Sequence, residues 1–150
     1  MVGSNNSETS KFDAIARESR TDPAVLTTFL KYPEGEDRVP YLWCADFEDG
    51  TEVLGPHRED RQVRASLLLL LLWARIGDKQ EVESSQLGTA LKTSSVNPEN
   101  RKNMYQALDD DGDPYFSRNN QGKVSLTHAG EVAAVEEVSR LAEKLADNDE

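Results

Sequence analysis

Asp109-Asp110-Asp111-Gly112-Asp113 is the densest set of side chains in this sequence that could hold a cation. A calcium loop of the EF-hand kind needs Gly at its sixth position and Glu at its twelfth. Counting back from Gly112, position one falls on Ala107 and position twelve on Arg118, so the pattern fails and a solvated acidic turn is expected. Nucleophiles are as scarce. Cys44 is the single cysteine, which excludes a disulfide framework and any multi-thiolate metal site. It stands beside Trp43 among strand formers and reads as a small core residue. His57 follows Pro56 near a helix start and His128 follows the cap candidate Thr127, and both read as surface residues. There is no Gly-rich phosphate loop, serine-nucleophile elbow or HExxH. The residues therefore predict no enzyme, no metal and no cofactor, and point to binding instead.

The chain has 150 residues, the size of one compact domain. Apolar residues are 37% of it, so a core forms only if they are concentrated on a few faces. Seventeen Lys and Arg stand against 28 Asp and Glu, a net charge of −11. The acids are scattered and coexist with periodic apolar faces, which argues against disorder. Arg outnumbers Lys ten to seven, and Ile occurs only at Ile15 and Ile76. This composition resembles that of haloarchaeal proteins that live in concentrated salt, where the Debye length at ~1 M falls to about 3 Å and long-range repulsion is nearly abolished. The longest apolar run, Leu67 to Ala74, has eight residues, far short of the roughly 20 that span a membrane. The first twelve residues are polar and lack a signal core. A cytoplasmic chain with no membrane partner is expected.

Residues 1–8 read as a tail. Phe12, Ile15 and Ala16 predict a short helix to about Ser19, and Thr21 or Asp22 as cap with Pro23 in the first turn starts a second whose stripe is Val25, Leu26, Phe29 and Leu30. Tyr41 to Cys44 and Glu52 to Leu54 read as two strands of one hairpin, completing a segment 9–54. From about Glu59 to Ile76 a long helix is predicted, apolar all round in its second half and thus buried, with Gly77 as its cap. Beyond an extended piece at Val82, a helix begins at Ser84 or Ser85. Another is predicted from Asn97, with Pro98 in its first turn, to about Leu108, turning Met104, Ala107 and Leu108 inward. Tyr115 to Arg118 and Lys123 to Leu126 form a hairpin, and Thr127 caps a last helix with the stripe Val132, Val135, Val138, Leu141, Ala142 and Leu145.

Three helices, a two-stranded hairpin and a closing helix are the order of the winged helix-turn-helix fold. The segment 65–146 resembles that family, of a small archaeal type, within an expected domain 57–146, and Lys123 to Val138 (KVSLTHAGEVAAVEEV) is similar to its second wing strand and terminal helix. The expected fold class is mainly α with small β-hairpins, a winged helix-turn-helix with an N-terminal helical and hairpin extension. The resemblance implies a DNA-binding regulator of transcription, its third helix in the major groove and its wing on the backbone or minor groove. On that carry-over, Asn97, Asn100, Arg101, Asn103 and Gln106 would face base edges, because Asn, Gln and Arg can pair with them bidentately. Lys92, Lys102, Arg118 and Lys123 would neutralise phosphates of double-stranded DNA.

The charge distribution bears on this. Residues 84–126 hold five cations (Lys92, Arg101, Lys102, Arg118, Lys123) and five acids (Glu99, Asp109, Asp110, Asp111, Asp113), so the remaining residues hold the whole −11. A charge minimum lies where a duplex would dock. The last helix has two readings. Its stripe either packs on Leu67 to Trp73, or Val135, Val138, Leu141, Ala142 and Leu145 meet a symmetry mate in a homodimer that aligns two reader helices. The competing reading of function is a winged-helix protein-interaction adaptor that never touches DNA.

Overall fold

Six successive leucines decide where the core lies. The structure is a computed structural model that describes residues 10–35, 38–48 and 50–148. It runs α1 (Asp13–Ser19), α2 (Pro23–Phe29), β1 (Leu30–Lys31), β2 (Tyr41–Leu42), a 3-10 turn (Gly50–Leu54), α3 (Arg58–Arg75), β3 (Val82–Glu83), α4 (Ser84–Thr93), α5 (Lys102–Tyr105), β4 (Phe116–Arg118), β5 (Lys123–Leu126) and α6 (His128–Asn148). The fold is mainly helical with two small antiparallel sheets. The expected tail at 1–8 lies outside the described residues. No helix among the described residues is long and apolar enough to cross a membrane.

In α3 every residue from Ala65 to Trp73 is buried. A helix with no solvent face needs neighbours on all sides, and it has them: α6, α4, α5, the 3-10 turn and β5 all pack on it. Each of Leu67 to Leu72 contributes roughly 1.5–3 kcal/mol by leaving water. One apolar cluster runs from Phe12 to Leu145, so the N-terminal segment shares a core with the rest. Polar ties reinforce it. Ser94 donates to the Ala90 carbonyl (2.8 Å) and accepts from the Leu42 amide (2.9 Å), fastening β2 to α4. Arg75 donates to both oxygens of Glu18 on α1 (2.8 and 3.0 Å) and to Glu131 on α6 (3.0 Å). Arg140 reaches from α6 to the Val53 carbonyl (2.6 Å) while paired with the buried Glu137.

Several expectations are corrected. The strand Tyr41–Leu42 does not pair with Glu52 to Leu54; it pairs antiparallel with Leu30–Lys31, Leu30 opposite Leu42. Residues 50–54 wind instead into a 3-10 turn that buries Val53 and Leu54. Gly77 is not the left-handed cap of α3, since the positive φ (51°) falls on Asp78. The glycine is needed for another reason: a Cβ there would collide with the Tyr32 hydroxyl.

The dimer stripe is corrected too. Val138, Leu141, Ala142 and Leu145 are buried in the chain's own core and Val135 is half-buried against it. α6 packs on α1, α2 and α3, which leaves those side chains nothing to offer a symmetry mate. Val132, expected in the stripe, is 46% exposed.

β3, β5 and β4 form the larger sheet, with β5 central; Val82 lies opposite Val124, and Phe116 opposite Leu126. Thr127 accepts from the Gly130 amide (3.0 Å) and donates to the Pro114 carbonyl (2.5 Å), capping α6 and docking it on the hairpin.

Two substitutions test this packing. Leu69→Asp, at a fully buried site, places an unpaired charge in the core and should abolish the cooperative melt followed by circular dichroism. Gly130→Ala drives a methyl into the Tyr115 carbonyl oxygen, a backbone atom that cannot step aside. It should cost about 1–3 kcal/mol in urea unfolding, whatever alanine adds to helix propensity.

Candidate nucleic-acid interface

The segment expected to be a reader helix from Asn97 to Leu108 is helical only at Lys102–Tyr105, one turn. The Asn97 side chain accepts from the Glu99 amide (2.9 Å), the bond expected of a cap, yet the helix does not continue from it. Asn100 sits at φ 57°, left-handed, which ends any helix arriving from Pro98. After Tyr105 the chain straightens, and Leu108 pairs with Pro114 in an isolated bridge. Leu108 is 55% exposed, where the periodicity predicts it inward. Met104 anchors the turn, fully buried, with the Ser66 hydroxyl 3.2 Å from its sulfur.

A residue outside the segment holds the loop in place. Gln62, fully buried on α3, donates through Nε2 to the carbonyls of Asn97 (2.7 Å) and Glu99 (2.8 Å). Its Oε1 is buried with no partner among the described residues. Sequence reasoning missed Gln62, although a signal existed: it lies three and four residues before the buried Ala65 and Ser66, a polar residue on an inward face.

α4, this loop, α5 and β4 enclose a groove of about 820 Å³. Lys92, Arg101, Lys102 and Arg118 line it against one acid, Glu99, together with Ser85, Thr89 and Tyr105. Arg101 does not reach out of it. Its guanidinium donates to the Ser84 carbonyl (3.0 Å) and lies over Gly88, where a Cβ would come within 3.1 Å of it. Arg118 lies 4.4 Å above the Tyr105 ring, a cation–π contact that leaves its N–H groups able to donate. The Tyr105 hydroxyl is hydrogen-bonded to Ser84 (3.1 Å), and its ring stands edge-on to Phe116. Lys92 and Lys102 are exposed.

The other expected site residues are dispersed. Asn103 is exposed but donates to Glu59 (2.7 Å). Asn97 lies at the edge of the groove, and Gln106 is exposed outside it. Lys123 is half-buried opposite Glu83 in the sheet and does not line the groove. The four loop aspartates do not mask the groove. Asp109 accepts from the amides of Asp111 (2.9 Å) and Asp113 (2.8 Å), and the cluster faces a separate recess of about 590 Å³ with His128, Val132 and Glu136. There, burial first and Asp109, Asp110 and Glu136 next hold the Tyr115 hydroxyl above its ordinary pKa. Among the described residues no group of three or more His, Cys, Asp or Glu could hold a metal. Cys44 is buried, and its thiol is pushed up to about 11 by desolvation, which keeps it protonated and unreactive near neutrality.

The Gln62 clamp can be tested directly. Gln62→Leu removes both donors and should cost about 1–3 kcal/mol in urea, with faster hydrogen exchange at the 97–101 amides. Gln62→Glu, which turns a carboxylate toward two carbonyls, should cost more at neutral pH. Wild-type unfolding and exchange in both variants would show that the loop is held by something else. Comparison with protein-family models, with curated proteins and with solved structures finds no match to this chain.

Proposed function

We propose that this chain is a DNA-binding protein of winged-helix build that grips a duplex in the groove between α4, the 97–101 loop, α5 and β4. One observation carries the reading: four cations stand against one acid in a single groove, in a chain whose net charge is −11. Cations clustered against a strongly negative background are the arrangement that phosphate binding calls for. The element order supports it as well. A helix, a short strand, two helices, a hairpin and a closing helix follow one another from α3 to α6, with β3 added to the hairpin as a third strand. A regulatory role, which the resemblance implies, requires in addition that the groove distinguish one sequence from another.

The adaptor reading keeps one support. Trp43, at 48% exposure, Leu108 and Val132 are large apolar side chains left in solvent. They are scattered along the chain and none of them lines the cationic groove.

Lys92→Glu combined with Lys102→Glu reverses two exposed charges on the walls of the groove. Duplex affinity followed by fluorescence anisotropy should fall at least about tenfold with the thermal melt unchanged, since a phosphate that meets no cation keeps its condensed counterions and releases none on binding. Lys144→Glu, an exposed position on α6 outside the groove, should bind as wild type. Equal affinity in all three proteins would remove the groove from the DNA-binding role.

A further inference from the structure

Resting on the reading of the groove as a DNA site, we infer that it takes the duplex backbone alone, holding phosphates without reading the base sequence. Three of the side chains that could read bases already hold a partner within the chain, which opposes the two-atom pairing that a base edge requires. Asn97 accepts from the Glu99 amide, Asn103 donates to Glu59, and the Arg101 guanidinium is held by the Ser84 carbonyl against Gly88. Two remain, Asn100 and Gln106, one on each side of a four-residue helix. That helix is about 6 Å long, a single turn. It cannot lay a row of side chains along base edges.

The groups still able to bind are of another kind. Lys92 and Lys102 are exposed cations on the groove walls, and Arg118 keeps its donors available while Tyr105 holds it from one face. A compact ammonium is a point-charge ligand for phosphate, and a guanidinium pairs with phosphate oxygens in fork geometry. Ser85 adds a hydroxyl to the same wall, while Thr89 donates its own to the Ser85 carbonyl (3.1 Å). The groove also lacks the means to bind an unpaired strand by stacking. Its aromatic residue, Tyr105, has one face covered by Arg118, its edge against Phe116 and its hydroxyl bound to Ser84. Strand-binding proteins need an open aromatic face on which a base can lie.

Lys92, Lys102 and Arg118 together set a measurable number. For B-DNA the logarithm of affinity falls with the logarithm of salt concentration with a slope of about −0.9 per phosphate neutralised, so ~−2.7 is expected here. The experiment titrates the full chain into two labelled duplexes of equal length and unrelated sequence, over the KCl range in which its melt is intact. A selection from a randomised duplex pool accompanies it. The expected result is affinities within about threefold of each other, a slope near that value that Lys92→Ala reduces by about one, and no enriched motif. A motif enriched from the pool, or a large preference for one duplex, would overturn sequence-independence and leave the DNA reading standing. No binding to either duplex at the lowest usable salt would overturn both.

Discussion

A helix buried on every side obliges the rest of the chain to wrap it. Residues 65–73 of α3 have no solvent-facing position, so α4, α5, α6, the 3-10 turn and the sheet all take their places by covering it. The same demand recruits the N-terminal segment. Phe12, Ile15, Leu26 and Phe29 join the one cluster that also contains Leu141 and Leu145. The closing helix is used up in this way: its apolar stripe completes the core of its own chain.

The wrapping leaves a short segment, residues 97–105, under two competing influences. Its residue types suit a helix, with a cap at Asn97 and a proline in the first turn, yet only one turn forms. Two features outweigh the helical alternative that the Asn97 cap favours: the left-handed Asn100 and the two carbonyls taken by Gln62. Helix nucleation is costly and a segment this short recovers little of it by propagation, so a few specific hydrogen bonds suffice to turn the balance. A loop with a single turn at its end therefore forms one wall of a cationic groove, in place of a longer helix.

Charge separation follows from the same packing. Along the chain, residues 84–126 are neutral, and cations are interspersed with acids. In space the aspartates of 109–113 face one recess, while Lys92, Arg101, Lys102 and Arg118 line another. The aspartate turn is stabilised by its own amides, which keeps the carboxylates on the hairpin side and away from the groove.

Periodicity and capping chemistry, read from residues alone, determined the elements whose cause is local. α2 begins at Pro23 with Asp22 accepting from the Ala24 amide, α3 and α4 lie where their apolar spacing requires, and Thr127 caps α6 directly after a hairpin at Phe116 to Leu126. Wherever the deciding partner is distant along the chain, only the tertiary structure settled the outcome. Tyr41–Leu42 found Leu30–Lys31 instead of Glu52 to Leu54; Gln62 and Ser84 claimed groups of the 97–101 loop; α1, α2 and α3 covered the stripe on α6. A hydrogen bond or a buried contact between residues tens of positions apart leaves no mark in local spacing, because its free energy exists only once the intervening chain has folded back and closed the distance.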